Sequence, residues 1–149
     1  MPGILIVAHA PLASALKSVA LHAYPDCAAR LDALDVQPDA SPDAVEADAL
    51  ALLAARGERE ALVLTDVFGA SPANAAQRLA DRPGVRVVAG VNVPMLWRTL
   101  CYRDDSLDEI MRKALDGAAR GVMPVPAALA PQNQSSPPGR NAQDEHNDQ

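Results

Sequence analysis

Residues 3–9, Gly3-Ile4-Leu5-Ile6-Val7-Ala8-His9, form an unbroken aliphatic run that ends on an imidazole. No polar residue alternates within it, so an extended segment here is apolar on both faces. That is the pattern of a strand covered on both sides, as in a parallel sheet between helices. Pro11 then opens a helix, along which Leu12, Leu16, Val19 and Ala23 recur at helical spacing on one face until Pro25 stops it. His22 falls off that face.

The alternation continues downstream. Arg30 to Val36 mixes apolar and polar residues and reads as a second, more exposed strand. Ser41-Pro42 with Glu46 starts a helix toward Arg56, and Gly57 ends it. Ala61 to Thr65 is a third strand, Ser71-Pro72 caps a helix to about Ala80, and Val85 to Ala89 is a fourth strand. Gly90 turns into Asn92-Val93-Pro94, which opens a helix through Trp97 and Leu100. The last helix runs from Leu107 to Arg120 with Leu107, Ile110, Met111, Ala114 and Leu115 as its apolar stripe. Strands alternating with helices predict an α/β domain: an open, mostly parallel, doubly wound sheet flanked by helices.

At 149 residues the chain is the size of one domain with one core. Phe68, Trp97, Tyr24 and Tyr102 are the only aromatics, so the 49% hydrophobic content is carried by aliphatic residues. A formal charge of −6 without a basic run argues against a nucleic-acid partner. Cys27 and Cys101 are isolated, which fits free thiols in a reducing compartment rather than a disulfide framework or a metal cluster. The first residues are too short an apolar run to span a bilayer and lack the basic lead of a secretory signal, so the expected location is cytoplasmic. Residues 1–125 are assigned to the domain. Residues 126–149, rich in Pro, Gln and Ser, are expected to be a disordered polar tail.

Ligands of open α/β sheets bind outside the carboxyl ends of the strands, where strand order reverses. The first, third and fourth strands end at His9, Asp66 and Asn92. With strand order 2-1-3-4 the reversal falls between the strands carrying His9 and Asp66, which would then share a crevice. Neutral imidazole is a nitrogen nucleophile near pH 7, and a carboxylate on its other ring nitrogen would fix the tautomer and stabilise positive charge. Gly69-Ala70-Ser71-Pro72 leads into a helix start at the same edge, with Ser71 as the expected N-cap, and presents N–H groups suited to an anion. Each residue alone has an ordinary structural reading: a hydrogen-bonded His, a loop Asp, a helix cap, a turn Asn, core Met95 and Leu96. Their conjunction at one edge indicates phosphoryl chemistry. No metal site or cofactor is implied.

Ile4-Leu-Ile-Val-Ala-His9, Thr65-Asp-Val-Phe-Gly-Ala-Ser-Pro-Ala-Asn74, Gly90-Val-Asn-Val-Pro-Met-Leu96 and Arg103-Asp-Asp together resemble the IIA domain of the mannose-family sugar phosphotransferase system, over about residues 2–125. The resemblance implies that His9 accepts a phosphoryl group from the phosphocarrier HPr and donates it to a IIB domain. Asp66 would hydrogen-bond the histidine, and Ser71, Ala70 and Gly69 would surround the phosphoryl group. Phe68, Asn92, Pro94 and Met95 are the expected partner contacts. The resemblance further implies a homodimer with an exchanged C-terminal edge strand at about Gly121 to Ala127. There Pro124 and Pro126 lack N–H groups, so the strand could pair only along its other edge.

Two positions depart from the family pattern. Ala8-His9-Ala10 stands for the usual Thr-His-Gly, and Gly69-Ala70-Ser71 for Gly-Gly-Ser, so backbone approach to a phosphate at Ala70 is expected to be restricted. The IIB partner would be a separate protein, and any association with a membrane permease peripheral. Two related readings stay open: a regulatory phosphoprotein charged by HPr that contacts a regulatory target without moving sugar, and the phosphocarrier subunit of dihydroxyacetone kinases. A nucleotide-binding protein is disfavoured, because Ala8-His9-Ala10-Pro11 lacks the glycines of a phosphate loop.

Overall fold

The computed structural model describes residues 1–128. Its elements are β1 (Gly3–His9), α1 (Leu12–Ala23), α2 (Pro25–Ala28), β2 (Leu31–Val36), α3 (Pro42–Ala55), β3 (Ala61–Thr65), α4 (Ser71–Ala80), β4 (Val85–Ala89), α5 (Val93–Cys101) and α6 (Leu107–Gly121). Among the described residues the strands form one sheet in the order β2-β1-β3-β4. Every neighbouring pair is parallel.

Successive side chains of a strand point to opposite faces, and here both faces are buried. Ile4, Ile6 and Ala8 of β1 join Leu62 and Leu64 of β3 against α1, α5 and α6. Leu5 and Val7 join Val63 against α3 and α4. This is the physical reason the first strand carries no polar residue before its exposed last one, His9: up to that point it has no solvent face to fill.

Helix starts follow local chemistry. Ser41 accepts a hydrogen bond from the Ala44 N–H, Asn92 from Met95 and Ser106 from Glu109, each closing a first turn. Gly57 adopts φ +65° just beyond α3, the left-handed turn that glycine permits.

The structure corrects several sequence expectations. Pro25 does not simply stop α1; it opens the short helix α2, where its missing N–H costs nothing. The buried face of α1 is Ala13, Leu16 and Ala20, not Leu12, Leu16, Val19 and Ala23. The two alanines let the helix axis lie close to the sheet, and Leu12 and Val19 are left exposed. Likewise α6 buries Leu107, Ile110, Ala114 and Gly117, while Leu115 is exposed. A Cβ on Gly117 would lie 2.9 Å from the Arg98 Cβ and 3.2 Å from the Pro94 carbonyl oxygen, so α6 seats on α5 through its glycine. Gly121, assigned by sequence to a C-terminal strand, is the last residue of α6. Val122, Met123 and Val125 beyond it are exposed and add no strand to the sheet within one chain. The expected polar tail lies almost wholly outside the described residues.

The face assignment of these helices is directly testable. Leu16→Ala should lower unfolding stability by about 2–5 kcal/mol in urea melts, the cost of a large-to-small core change. Leu115→Ala should shift it by no more than about 0.5 kcal/mol.

Candidate functional site

Parallel pairing of β1 with β3 sets Val7 opposite Thr65, so the next residues at the carboxyl edge are neighbours across the strand-order reversal. His9 closes β1 and Asp66 follows β3. The His9 Nδ1 lies 2.6 Å from Asp66 Oδ2, and the backbone N–H of His9 donates to the same oxygen at 3.1 Å. A carboxylate only accepts, so Nδ1 carries the proton of the neutral ring and Nε2 keeps its lone pair. The imidazole side chain is 54% exposed, whereas that of Asp66 is 10% exposed. The nitrogen that keeps its lone pair therefore belongs to the exposed partner and the carboxylate to the covered one.

Asp66 is itself held from several directions. Its Oδ1 accepts from the Val67 N–H at 2.9 Å. The Gly90 N–H donates to the Asp66 carbonyl at 2.9 Å and the Val91 N–H to the Thr65 carbonyl at 3.0 Å. The turn after β4 thus ties down the end of β3, and Gly90 makes that turn at φ +88°. Burial alone would raise the Asp66 pKa; hydrogen bonds from the His9 ring, the His9 N–H and the Val67 N–H outweigh it and hold the carboxyl below its ordinary value. The carboxylate form is the one the site is built around.

The start of α4 sits at the same edge, since it follows β3 by a short loop. The N-cap is Ala70 and not Ser71, which is the first helical residue, and no side chain caps the helix. Asn74 is the first to bond back, to the Ala70 carbonyl at 2.9 Å, and Pro72 has no N–H, which leaves the N–H groups of Ser71 and Ala73 without helical acceptors. Gly69 takes φ +85°, whereas Ala70 is extended at φ −84°, ψ 167°, so alanine fits there without strain. Positive helix-end charge and two N–H donors at this edge of the sheet suit an anion.

Phe68 lies in the same loop and is exposed, and Pro94 lies in the first turn of α5. The other two expected partner contacts do not fit that role. Met95 is 1% exposed and packs in the core, because the apolar face of α5 turns it inward. Asn92 spends both ends of its amide within the chain, Oδ1 accepting from the Met95 N–H and Nδ2 donating to the Ala118 carbonyl. Asp35 at the end of β2 went unrecognised in the sequence; it accepts from the Ser14 N–H at 3.0 Å and so anchors the first turn of α1 beside His9. The contact spans 21 residues, too far for a local signal. Among the described residues no cluster of three His, Cys, Asp or Glu side chains could hold a metal ion, and no helix is long and apolar enough to cross a membrane.

The chain is similar to known proteins. A family model, EIIA-man, described as PTS system fructose IIA component, matches residues 3–115. The PTS system mannose-specific EIIAB component of Escherichia coli (strain K12) is 41% identical over 90 residues, covering 51% of this chain and 28% of that protein. The chain thus matches little more than a quarter of that relative's length. Among solved structures, the mannose/sorbose specific IIA subunit of the phosphotransferase system from Enterococcus faecalis superposes with a TM-score of 0.76 at 21% identity, over 85% of this chain and 96% of that one. The phosphotransferase system component EIIA from Streptococcus agalactiae gives 0.74 at 22% identity, over 83% and 97%. These two share the fold. With the family model covering residues 3–115, the chain belongs to the EIIA-man family of phosphotransferase-system IIA components.

Proposed function

We propose that this IIA component is a phosphoryl relay in which His9 accepts the group from HPr and passes it to a separate IIB protein. The observation that carries the reading is the 2.6 Å contact of His9 Nδ1 with Asp66 Oδ2, which leaves Nε2 as the nucleophile on an exposed ring. In the forward step the Nε2 lone pair forms a bond to phosphorus as the bond from phosphorus to the donor breaks, and the electron pair leaves with the donor. Positive charge grows on the ring as this happens. Asp66 stays ionised and stabilises it, and the second transfer reverses the same changes.

The phosphoryl oxygens would receive the Ser71 and Ala73 N–H groups and the Ser71 hydroxyl, with Gly69 and Ala70 forming the loop beneath them. Such a transfer needs little covalent help from the protein, so positioning and charge supply most of the rate. Phe68 and Pro94 are the remaining partner contacts on this reading, and meeting HPr places the protein in the cytoplasm. Exposed apolar chain beyond α6, at Val122, Met123 and Val125, supports exchange between two subunits of a homodimer, in which Pro124 and Pro126 limit pairing to one edge.

Protein mixed with Enzyme I, HPr and phosphoenolpyruvate should gain one acid-labile phosphoryl group per chain, and His9→Ala none. Asp66→Asn should slow labelling by ~10²-fold, the ordinary worth of a correctly placed acid–base partner. Unchanged labelling in His9→Ala would move the site elsewhere, and transfer onward to a IIB protein separates a relay from a purely regulatory phosphoprotein.

The depressed Asp66 pKa sets a sign for stability. Its contribution is complete above the ordinary value of 3.8 and fades as pH falls through the lowered one. Urea melts of wild type and Asp66→Asn should therefore differ more at about pH 6 than at about pH 3. A constant difference would mean that the carboxylate is not favoured by folding. Light scattering should give twice the monomer mass, and a monomer would remove strand exchange.

A further inference from the structure

Four helices follow the four parallel strands directly and so begin at the carboxyl edge where His9 lies: α1, α3, α4 and α5. A helix start leaves N–H groups unpaired and carries a positive end, and both attract an anion. On three of the four a side chain closes the first turn. Ser41 accepts the Ala44 N–H of α3, and Asn92 accepts the Met95 N–H of α5. The first turn of α1 has no acid of its own, and its closing group comes from another strand: Asp35 of β2 accepts the Ser14 N–H at 3.0 Å. Of these four helices α4 alone keeps an open start among the described residues.

Asp35 is the one carboxylate among these closures, and the sheet sets it close to the imidazole. β2 pairs with β1 so that Asp35 lies opposite Ala8 and Val36 opposite His9, on strands about 4.8 Å apart. The Val36 carbonyl accepts the Ala10 N–H at 3.0 Å, so the end of β2 holds the turn between His9 and α1 at two points. Alternation along β1 turns Ala8 to the α1 face and sets His9 on the face of Leu5 and Val7, where α4 packs. A phosphoryl group on His9 thus has two helix starts near it, α4 on its own face and α1 next in the chain. The carboxylate occupies the second. The whole arrangement lies within one chain, at the edge of the sheet opposite β4.

We propose that Asp35 is a positioning residue for the phosphoryl group: its charge denies the α1 start to that group, leaves the α4 start as the receiver, and keeps the loaded histidine ready to pass the group on. This rests on the phosphocarrier reading above. Phosphorylation adds about two negative charges, and a fixed carboxylate on the neighbouring strand repels them. Repulsion raises the loaded state relative to the unloaded one. Asp35 makes no bond to the reacting atoms; the bond from Nε2 to phosphorus still forms as the bond to the donor breaks.

The test compares loading of His9 at equilibrium, at a fixed ratio of phosphorylated to free HPr. Asparagine keeps an oxygen acceptor for the Ser14 N–H and removes the charge, so Asp35→Asn should raise the ratio of loaded to unloaded His9 about threefold, the ordinary worth of one charge at a helix start. The difference between the two proteins should vanish at about 1 M salt, where charges are screened beyond about 3 Å. Asp35→Ala removes the acceptor as well and opens the α1 start. Its Ser14 amide resonance should move on loading, whereas in wild type those of Ser71 and Ala73 move and that of Ser14 stays. If Asp35→Ala fails to fold, the asparagine variant and its salt dependence decide. Equal loading of wild type and Asp35→Asn, or a difference that persists at high salt, overturns the proposal, as does a wild-type Ser14 resonance that moves with loading. Failure of wild-type His9 to load at all would strike the phosphocarrier reading and this proposal together, whereas ordinary loading that ignores Asp35 strikes this proposal alone.

Discussion

The parallel ladder between β1 and β3 is the constraint on which the rest depends. Its register sets Val7 against Thr65, and so fixes which side chains emerge together at the carboxyl edge of the sheet. Because β2 lies outside β1 and β4 outside β3, the chain departs in opposite directions from this central pair. No crossover helix then covers the gap between the two strand ends. The imidazole and the carboxylate meet there because the topology leaves that place open.

What makes the pair chemically asymmetric is burial. Asp66 is nearly covered and accepts three hydrogen bonds, two from backbone N–H groups that cannot move without disturbing the strand ends. Its charge is therefore fixed in place before any partner arrives, and His9 is the member left exposed. A preorganised acceptor behind an accessible nitrogen lowers the reorganisation required when charge develops on the ring. The α4 start adds N–H groups from the other side at a place where no acidic residue occupies the first turn.

Close packing by small residues shapes both faces. Ala13 and Ala20 bring α1 onto the sheet, and Gly117 brings α6 onto α5. On the opposite face α4 packs through Ala75, Ala76 and Leu79 against β1, β3 and β4, and a small cleft remains beside Val87 and Ala89. The unpartnered Thr65 hydroxyl lies in that gap, one residue from Asp66.

The sequence alone determined the strands and the two side chains, His9 and Asp66, that meet at their carboxyl edge. Ala61–Thr65 falls where its apolar run ends, since a strand buried on both faces is apolar almost throughout, and Val85–Ala89 follows a similar run broken by the exposed Arg86; both patterns are local. His9 and Asp66 were legible because each ends such a run. Tertiary structure decided which helix faces turn inward, that Ala70 and not Ser71 caps α4, that Met95 belongs to the core, and that Asp35 anchors α1. Alanine-rich helices such as α1 offer several apolar stripes of similar hydrophobicity. The choice among them is made by how closely a neighbour can approach, and that distance is a property of the assembled layers rather than of any one segment.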